Sequence, residues 1–129
     1  MNWNITAGRP VYVQLIEQLE LAIVTGEYPL GSRIPAVREL AAEAGVNPNT
    51  MQRALQELEA RGLLQARRTA GRVVSADEHT LQALRARRAD VCVSDFLAQM
   101  RQLGYTREET LALLQKTEFP PEHSTKEES

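Results

Sequence analysis

Proline and glycine divide the first half of the chain into three short amphipathic segments. Apolar side chains recur at helical spacing in residues 12–23, 37–41 and 51–58. A proline stands near the start of each segment and a glycine near its end, which are the residues that begin and stop helices. Helices this short bury little surface on their own. We therefore expect three short helices that pack around one shared core.

The second and third segments are joined by a tight turn that contains Gly45. We expect Pro35 to be the first residue of the second helix. The third helix should begin with Asn47 as its N-cap and Pro48 at its first position. Two helices joined in this way form a helix-turn-helix, whose second helix fits the major groove of DNA.

The third helix carries amide and guanidinium groups away from its apolar face. Asn49 and Arg53 lie on the outward face, with Gln52 at its flank. Asn and Gln side chains pair with adenine and Arg with guanine, while Asn47, Asn49 and Thr50 suit a phosphate or the first bases. Any surface helix also has a polar face that water solvates. The neighbouring elements therefore have to be considered before DNA contact is preferred to plain solvation.

A hairpin follows the third helix. Residues 63–67 and 72–75 are strand-like runs that flank a flexible turn. The hairpin is basic, and we expect its three arginines to contact DNA phosphates: Arg67, Arg68 and Arg72. The sequence therefore predicts a mainly α fold with a small β-hairpin (α+β), in which residues 1–76 form a winged helix-turn-helix that binds double-stranded DNA.

The charge distribution supports this location for a DNA-binding surface. The net charge of −2 argues weakly against nucleic acid. However, residues 33–72 hold seven arginines against four glutamates, whereas residues 77–129 hold seven basic against ten acidic side chains. The middle of the chain is therefore basic and the C-terminal part acidic.

Residues 77–118 are expected to form two helices, the second opened by a capping box at residues 106–109. An apolar stripe runs along them, and we predict that it packs against a second copy of the chain; the alternative is that it folds back on its own winged helix. The stripe consists of Leu81, Leu84, Val91, Leu97, Met100, Leu103, Leu111 and Leu114. Three arginines interrupt it and are open to DNA contact, anion binding or plain solvation: Arg85, Arg87 and Arg88. Residues 119–129 are expected to be disordered.

Other classes of protein find little support. Cys92 is the single cysteine and cannot form an internal disulfide, which fits a reducing compartment. No stretch has the length of a membrane span and no signal peptide is visible, so we predict a cytoplasmic protein without a membrane partner. His79 and His123 lack metal-ligand partners at suitable spacing. No phosphate loop or nucleophile motif is present, and we predict no enzyme, cofactor or metal.

Three motifs then stand in a characteristic order: IPAVRELA at residues 34–41, GVNPNTM at 45–51 and RAL at 53–55. With their spacing, residues 9–75 resemble the GntR-type winged helix, and the VNPNT run with its short C-terminal part resembles the YtrA subfamily. The resemblance implies a homodimer bound to an inverted repeat, which usually represses nearby genes, often those of a transporter. It nominates for DNA contact Arg38, Asn47, Asn49, Thr50, Gln52 and Arg68.

The chain departs from the family pattern at two places. Ala36 stands where a serine is common, which removes a helix cap or phosphate contact. The wing reads TAGRVV at residues 69–74 instead of Gly-x-Gly-Thr-Phe-Val, so its tip has lost a glycine. For Arg38 an alternative also stays open, since it could pair with Glu39 or Glu43.

These observations lead to one principal hypothesis, a sequence-specific DNA-binding regulator that represses as a homodimer and is released by an unknown signal. The alternative is an adaptor that uses its winged helix to bind a protein. A small-molecule effector held between two subunits is compatible with the first hypothesis.

Overall fold

The computed structural model describes residues 1–121. Within them the chain forms five helices and a two-stranded antiparallel hairpin, which confirms the predicted fold class. In order these are α1 (Val11–Val24), α2 (Val37–Ala44), α3 (Pro48–Ala60), β1 (Leu64–Arg67), β2 (Gly71–Val74), α4 (Glu78–Gln102) and α5 (Arg107–Lys116). Most of the tail predicted to be disordered, residues 122–129, lies outside the described residues.

The start of α3 is as predicted. The Asn47 side chain accepts a hydrogen bond of 2.7 Å from the backbone N–H of Asn49, and Pro48 is the first helical residue. The start of α2 differs, because the helix begins at Val37 with Ala36 as N-cap, so Pro35 lies before it. Alanine has no acceptor with which to cap a helix.

The helices α1, α2 and α3 pack with the hairpin around one core. Its fully buried side chains include Leu15, Leu40, Leu55 and Leu58. The hairpin is anchored on both sides of β2, because residues 31–34 pair with the strand: Ile34 N–H donates to the Arg72 carbonyl over 3.0 Å. The hairpin, which is the wing, is therefore hydrogen-bonded to the loop that leads into α2.

The chain divides into two compact units, Met1–Arg87 and a second that begins at Arg88. This boundary lies inside α4 rather than at residue 76. The reason is that Leu84, only 2% exposed, belongs to the winged-helix core, and Leu81 packs against the same core. The prediction placed Leu84 against a second subunit, but Leu84 packs within its own chain. Leu81 is half-buried against the same winged-helix core.

The second unit contains the rest of α4 and α5. The predicted capping box is present, since Thr106 N–H donates to Glu109 Oε1 and Glu109 N–H to Thr106 Oγ1. Most members of the predicted stripe that lie in this unit are exposed, and Met100 is half-buried. The exposed members are Val91, Leu97, Leu103, Leu111 and Leu114.

Candidate nucleic-acid interface

The N-terminal end of α3 presents polar groups to solvent. Asn47, Asn49 and Arg53 are exposed, whereas Thr50 and Gln52 are half-buried. Helix capping uses only the carbonyl oxygen of the Asn47 amide. The first backbone N–H groups of a helix point outward and favour an anion. This end of α3 therefore offers both amide side chains and a weak positive potential.

Arg53 is held by a residue of α1. Its guanidinium carbon lies 4.2 Å from the centroid of the Tyr12 ring, well within the range of a cation–π interaction. The Arg53 side chain therefore turns from the outward face of α3 toward α1. The sequence places Tyr12 only in the apolar stripe of the first helix, and no signal in the sequence links it to Arg53.

An ionic contact also fixes α3 on α1, and it is made by Arg61 at the C-terminal end of α3. The Arg61 guanidinium donates to Glu20 and to Glu57, each over 2.9 Å, and the Glu20 side chain is largely buried. Burial opposes the charge on Arg61, but its bonds to the two carboxylates outweigh this effect and raise the pKa of the guanidinium. The orientation of α3 is thus set by charge as well as by apolar packing.

The wing places its three predicted cations differently. Arg68 is exposed in the turn between the strands, and exposed Arg67 donates to Gln65 Oε1 over 3.4 Å. Arg72 is half-buried, and its Nε lies 3.4 Å from Glu59 Oε2 on α3. Arg72 therefore links the wing to α3, and its predicted contact with DNA stays a prediction.

A further cation lies beside the wing. A side chain at Gly71 would bring its Cβ to 3.6 Å from Arg33 Nε, so the exposed Arg33 lies next to the turn. Sequence reasoning counted Arg33 in the basic stretch but did not nominate it. Its position follows from the pairing of residues 31–34 with β2, which periodicity does not reveal.

Arg38 is exposed on α2. The two glutamates considered as its partners have other contacts, since Glu39 accepts from the Ala36 N–H and Glu43 from Trp3 Nε1, each over 3.4 Å. These contacts favour a surface role for Arg38 over the local ion pair.

Residues 1–121 offer little support for a membrane span or a metal site. No helix there combines the length and apolar character that crossing a membrane requires. No group of three or more His, Cys, Asp or Glu side chains in this range is placed to hold a metal ion.

Comparison with known proteins identifies the fold. The model of the family "Bacterial regulatory proteins, gntR family" matches residues 11–74. An uncharacterized helix-turn-helix regulator of Bacillus subtilis, YhcF, is 32% identical over 111 residues, which cover 86% of this chain and 92% of that protein. A GntR family regulator from Listeria monocytogenes superposes with a TM-score of 0.77 at 33% identity, over 88% of this chain and 99% of that one.

The YtrA resemblance also finds support. The transcriptional repressor YtrA of Bacillus subtilis is 37% identical over 74 residues, which are 57% of each chain. These relatives are transcriptional regulators, and the Listeria monocytogenes regulator shares the fold over 88% of this chain. The chain therefore belongs to the GntR family of bacterial regulatory proteins and is a DNA-binding transcriptional regulator.

Proposed function

We propose that the protein is a homodimeric repressor that binds an inverted-repeat operator. The observation that carries this proposal is the exposed polar N-terminal end of α3, together with a basic wing that contacts the same helix through Arg72 and Glu59. Two relatives, YtrA and NagR of Bacillus subtilis, are named as transcriptional repressors. Such a regulator works in the cytoplasm beside the chromosome and needs no catalytic group.

The proposed contacts fall into two groups. Asn49 and Gln52 read base edges from α3, with Asn47 and Thr50 at the entry to the groove. The exposed cations Arg38, Arg67 and Arg68 contact phosphates, which set affinity and register rather than sequence. Arg72 supports the wing through Glu59, and its own contact with DNA stays a prediction.

Dimerisation is assigned to the second unit. Its apolar side chains border an open groove of about 430 Å³, and a monomer in water would leave this surface exposed. The groove is lined by Cys92, Val93, Phe96, Leu97, Arg107, Thr110, Leu111 and Leu114. A second copy covers the face with identical apolar groups and supplies the second recognition helix that a two-fold symmetric operator requires. A small-molecule effector would bind between the two copies.

Selection of bound duplexes from a random DNA pool tests the regulator. We expect an inverted repeat with half-sites about one helical turn apart, and an affinity that falls steeply as salt rises. Recovery of unrelated sequences, with binding that ignores salt, would instead support the protein-binding adaptor.

Sedimentation velocity tests the dimer. Leu111→Glu introduces a charge into the groove, and we expect it to shift the full-length protein to monomer and to weaken operator binding. Gln115→Glu adds the same charge to α5 at an exposed position that does not line the groove, and should leave the dimer intact. A dimer that persists in Leu111→Glu would remove this face from the interface.

A further inference from the structure

Arg53 and Glu57 stand four residues apart on α3, where opposite charges usually pair. Here Glu57 is engaged elsewhere: its Oε2 accepts from Arg61 Nε over 2.9 Å, and its Oε1 lies 3.5 Å from the Tyr12 hydroxyl. No ion pair of Arg53 occurs with any residue in the described range 1–121. The local network thus diverts the carboxylate that would otherwise neutralise Arg53.

The contact of Arg53 with Tyr12 preserves its capacity to bind an anion. An aromatic ring can occupy only one side of a guanidinium, which carries five N–H donors, so the contact leaves donors for another partner. The N–H edge of a guanidinium matches the geometry of a phosphate and can donate two parallel hydrogen bonds. Arg53 is exposed, so its donors are accessible.

The direction of the Arg53 side chain, toward α1, favours a phosphate over a base. Contacts on both sides define the flanks of the helix, because Tyr12 touches Arg53 and Glu57 on one side and Arg72 touches Glu59 on the other. When a recognition helix enters the major groove, its outermost residues face base edges and its flanks face the sugar-phosphate backbone.

We propose that Tyr12 is a positioning residue, which turns the Arg53 side chain toward the α1 side of α3 so that its N–H edge binds a DNA phosphate rather than a base. This inference rests on the proposed function, in which α3 enters the operator. It adds a residue outside the helix-turn-helix to the binding surface and assigns Arg53 to affinity rather than to sequence reading.

Fluorescence anisotropy with the selected operator and a scrambled duplex of equal length tests this assignment. We expect Tyr12→Leu to weaken binding of both duplexes by about two- to fivefold, the range of an exposed cation–π contact. Tyr12→Phe keeps the ring but loses the hydroxyl that lies 3.5 Å from Glu57 Oε1, so it should lose less affinity than Tyr12→Leu. Arg53→Ala should weaken both duplexes alike and reduce the salt slope by about one. Tyr12→Leu should add no further loss in the Arg53→Ala background.

Asn49→Ala is the matched control on the same helix, and should weaken the operator more than the scrambled duplex. A loss for Arg53→Ala confined to the operator would overturn the phosphate assignment. Wild-type affinity for Tyr12→Leu on both duplexes would overturn the positioning role.

A measurement on the free protein separates failure of this inference from failure of the proposed function. The NMR order parameter of the Arg53 Nε–Hε group should fall in Tyr12→Leu and stay unchanged in Tyr12→Phe. If the wild type binds no DNA, the proposed function and the phosphate assignment fail together, while this order parameter still decides whether Tyr12 holds Arg53. An order parameter equal in all three proteins would overturn that positioning.

Discussion

The winged-helix unit and the C-terminal unit use their apolar side chains in opposite ways. In the first, leucines from three helices are fully buried in a common core. In the second, Thr110 is the only residue buried among residues 88–121, whereas Leu103 is 72% exposed. The difference indicates that the first unit is stabilised by its own core, whereas the second leaves most of its apolar groups exposed.

Leucine-to-alanine substitutions should give the largest contrast between the units. Leu55→Ala empties a fully buried position, and we expect it to cost about 2 to 5 kcal/mol of unfolding free energy. Leu103→Ala should change the same transition by less than about 0.5 kcal/mol. Urea unfolding followed by the fluorescence of Trp3, the single tryptophan, which packs against the winged-helix core, measures both. Equal losses would show that the two units share one cooperative core.

The N-cap of α3 should give a smaller effect that separates folding from DNA binding. Asn47→Ala removes the bond to the Asn49 N–H and should cost about 1 kcal/mol. Asn47→Asp keeps an acceptor and should keep the stability, yet it should bind DNA poorly because its charge faces phosphates. If both variants unfold at the same urea concentration, the capping hydrogen bond is not the contribution of Asn47 to stability.

The two helix starts and the position of Leu84 show which parts of the fold the sequence predicts. The start of α3 was predictable because a cap and a first-turn proline are local signals within three residues. Pro35 was misplaced by two positions because a proline fits just before a helix as well as at its first residue. Leu84 was assigned to the wrong surface, since periodicity shows which residues share a face but not what covers that face.

The candidate interface was only partly predictable for a related reason. Helical spacing places Arg53 and Asn49 away from the apolar face of α3. The partners of the interface arginines come from other elements. Arg53 of α3 contacts Tyr12 of α1, and Arg72 of the wing contacts Glu59 of α3. Such long-range pairs depend on how the elements pack, which no local pattern contains.

The capping box of α5 should show that the second unit is stabilised locally. Thr106→Ala removes the acceptor for the Glu109 N–H and should cost α5 about 0.5 to 1 kcal/mol. Hydrogen exchange of the Glu109 amide should accelerate several-fold, while the transition reported by Trp3 stays unchanged. A shift of that transition would mean that α5 supports the winged-helix core and would weaken the contrast between the units.

Tyr28 should give an effect that is confined to the winged-helix unit and to alkaline pH. Burial, together with the negative charges of Glu43 and Glu27, raises the pKa of Tyr28 from 10.0 to about 12. The folded state therefore favours the neutral phenol, and its contribution to stability is complete below pH 10 and is lost as the pH rises through about 12. Tyr28→Phe cannot ionise and should lose less stability over this range in urea unfolding followed by Trp3. Tyr105→Phe, a control in the other unit, should behave like the wild type. A Tyr28→Phe protein that declines as steeply as the wild type would show that other groups control the alkaline unfolding of the winged helix.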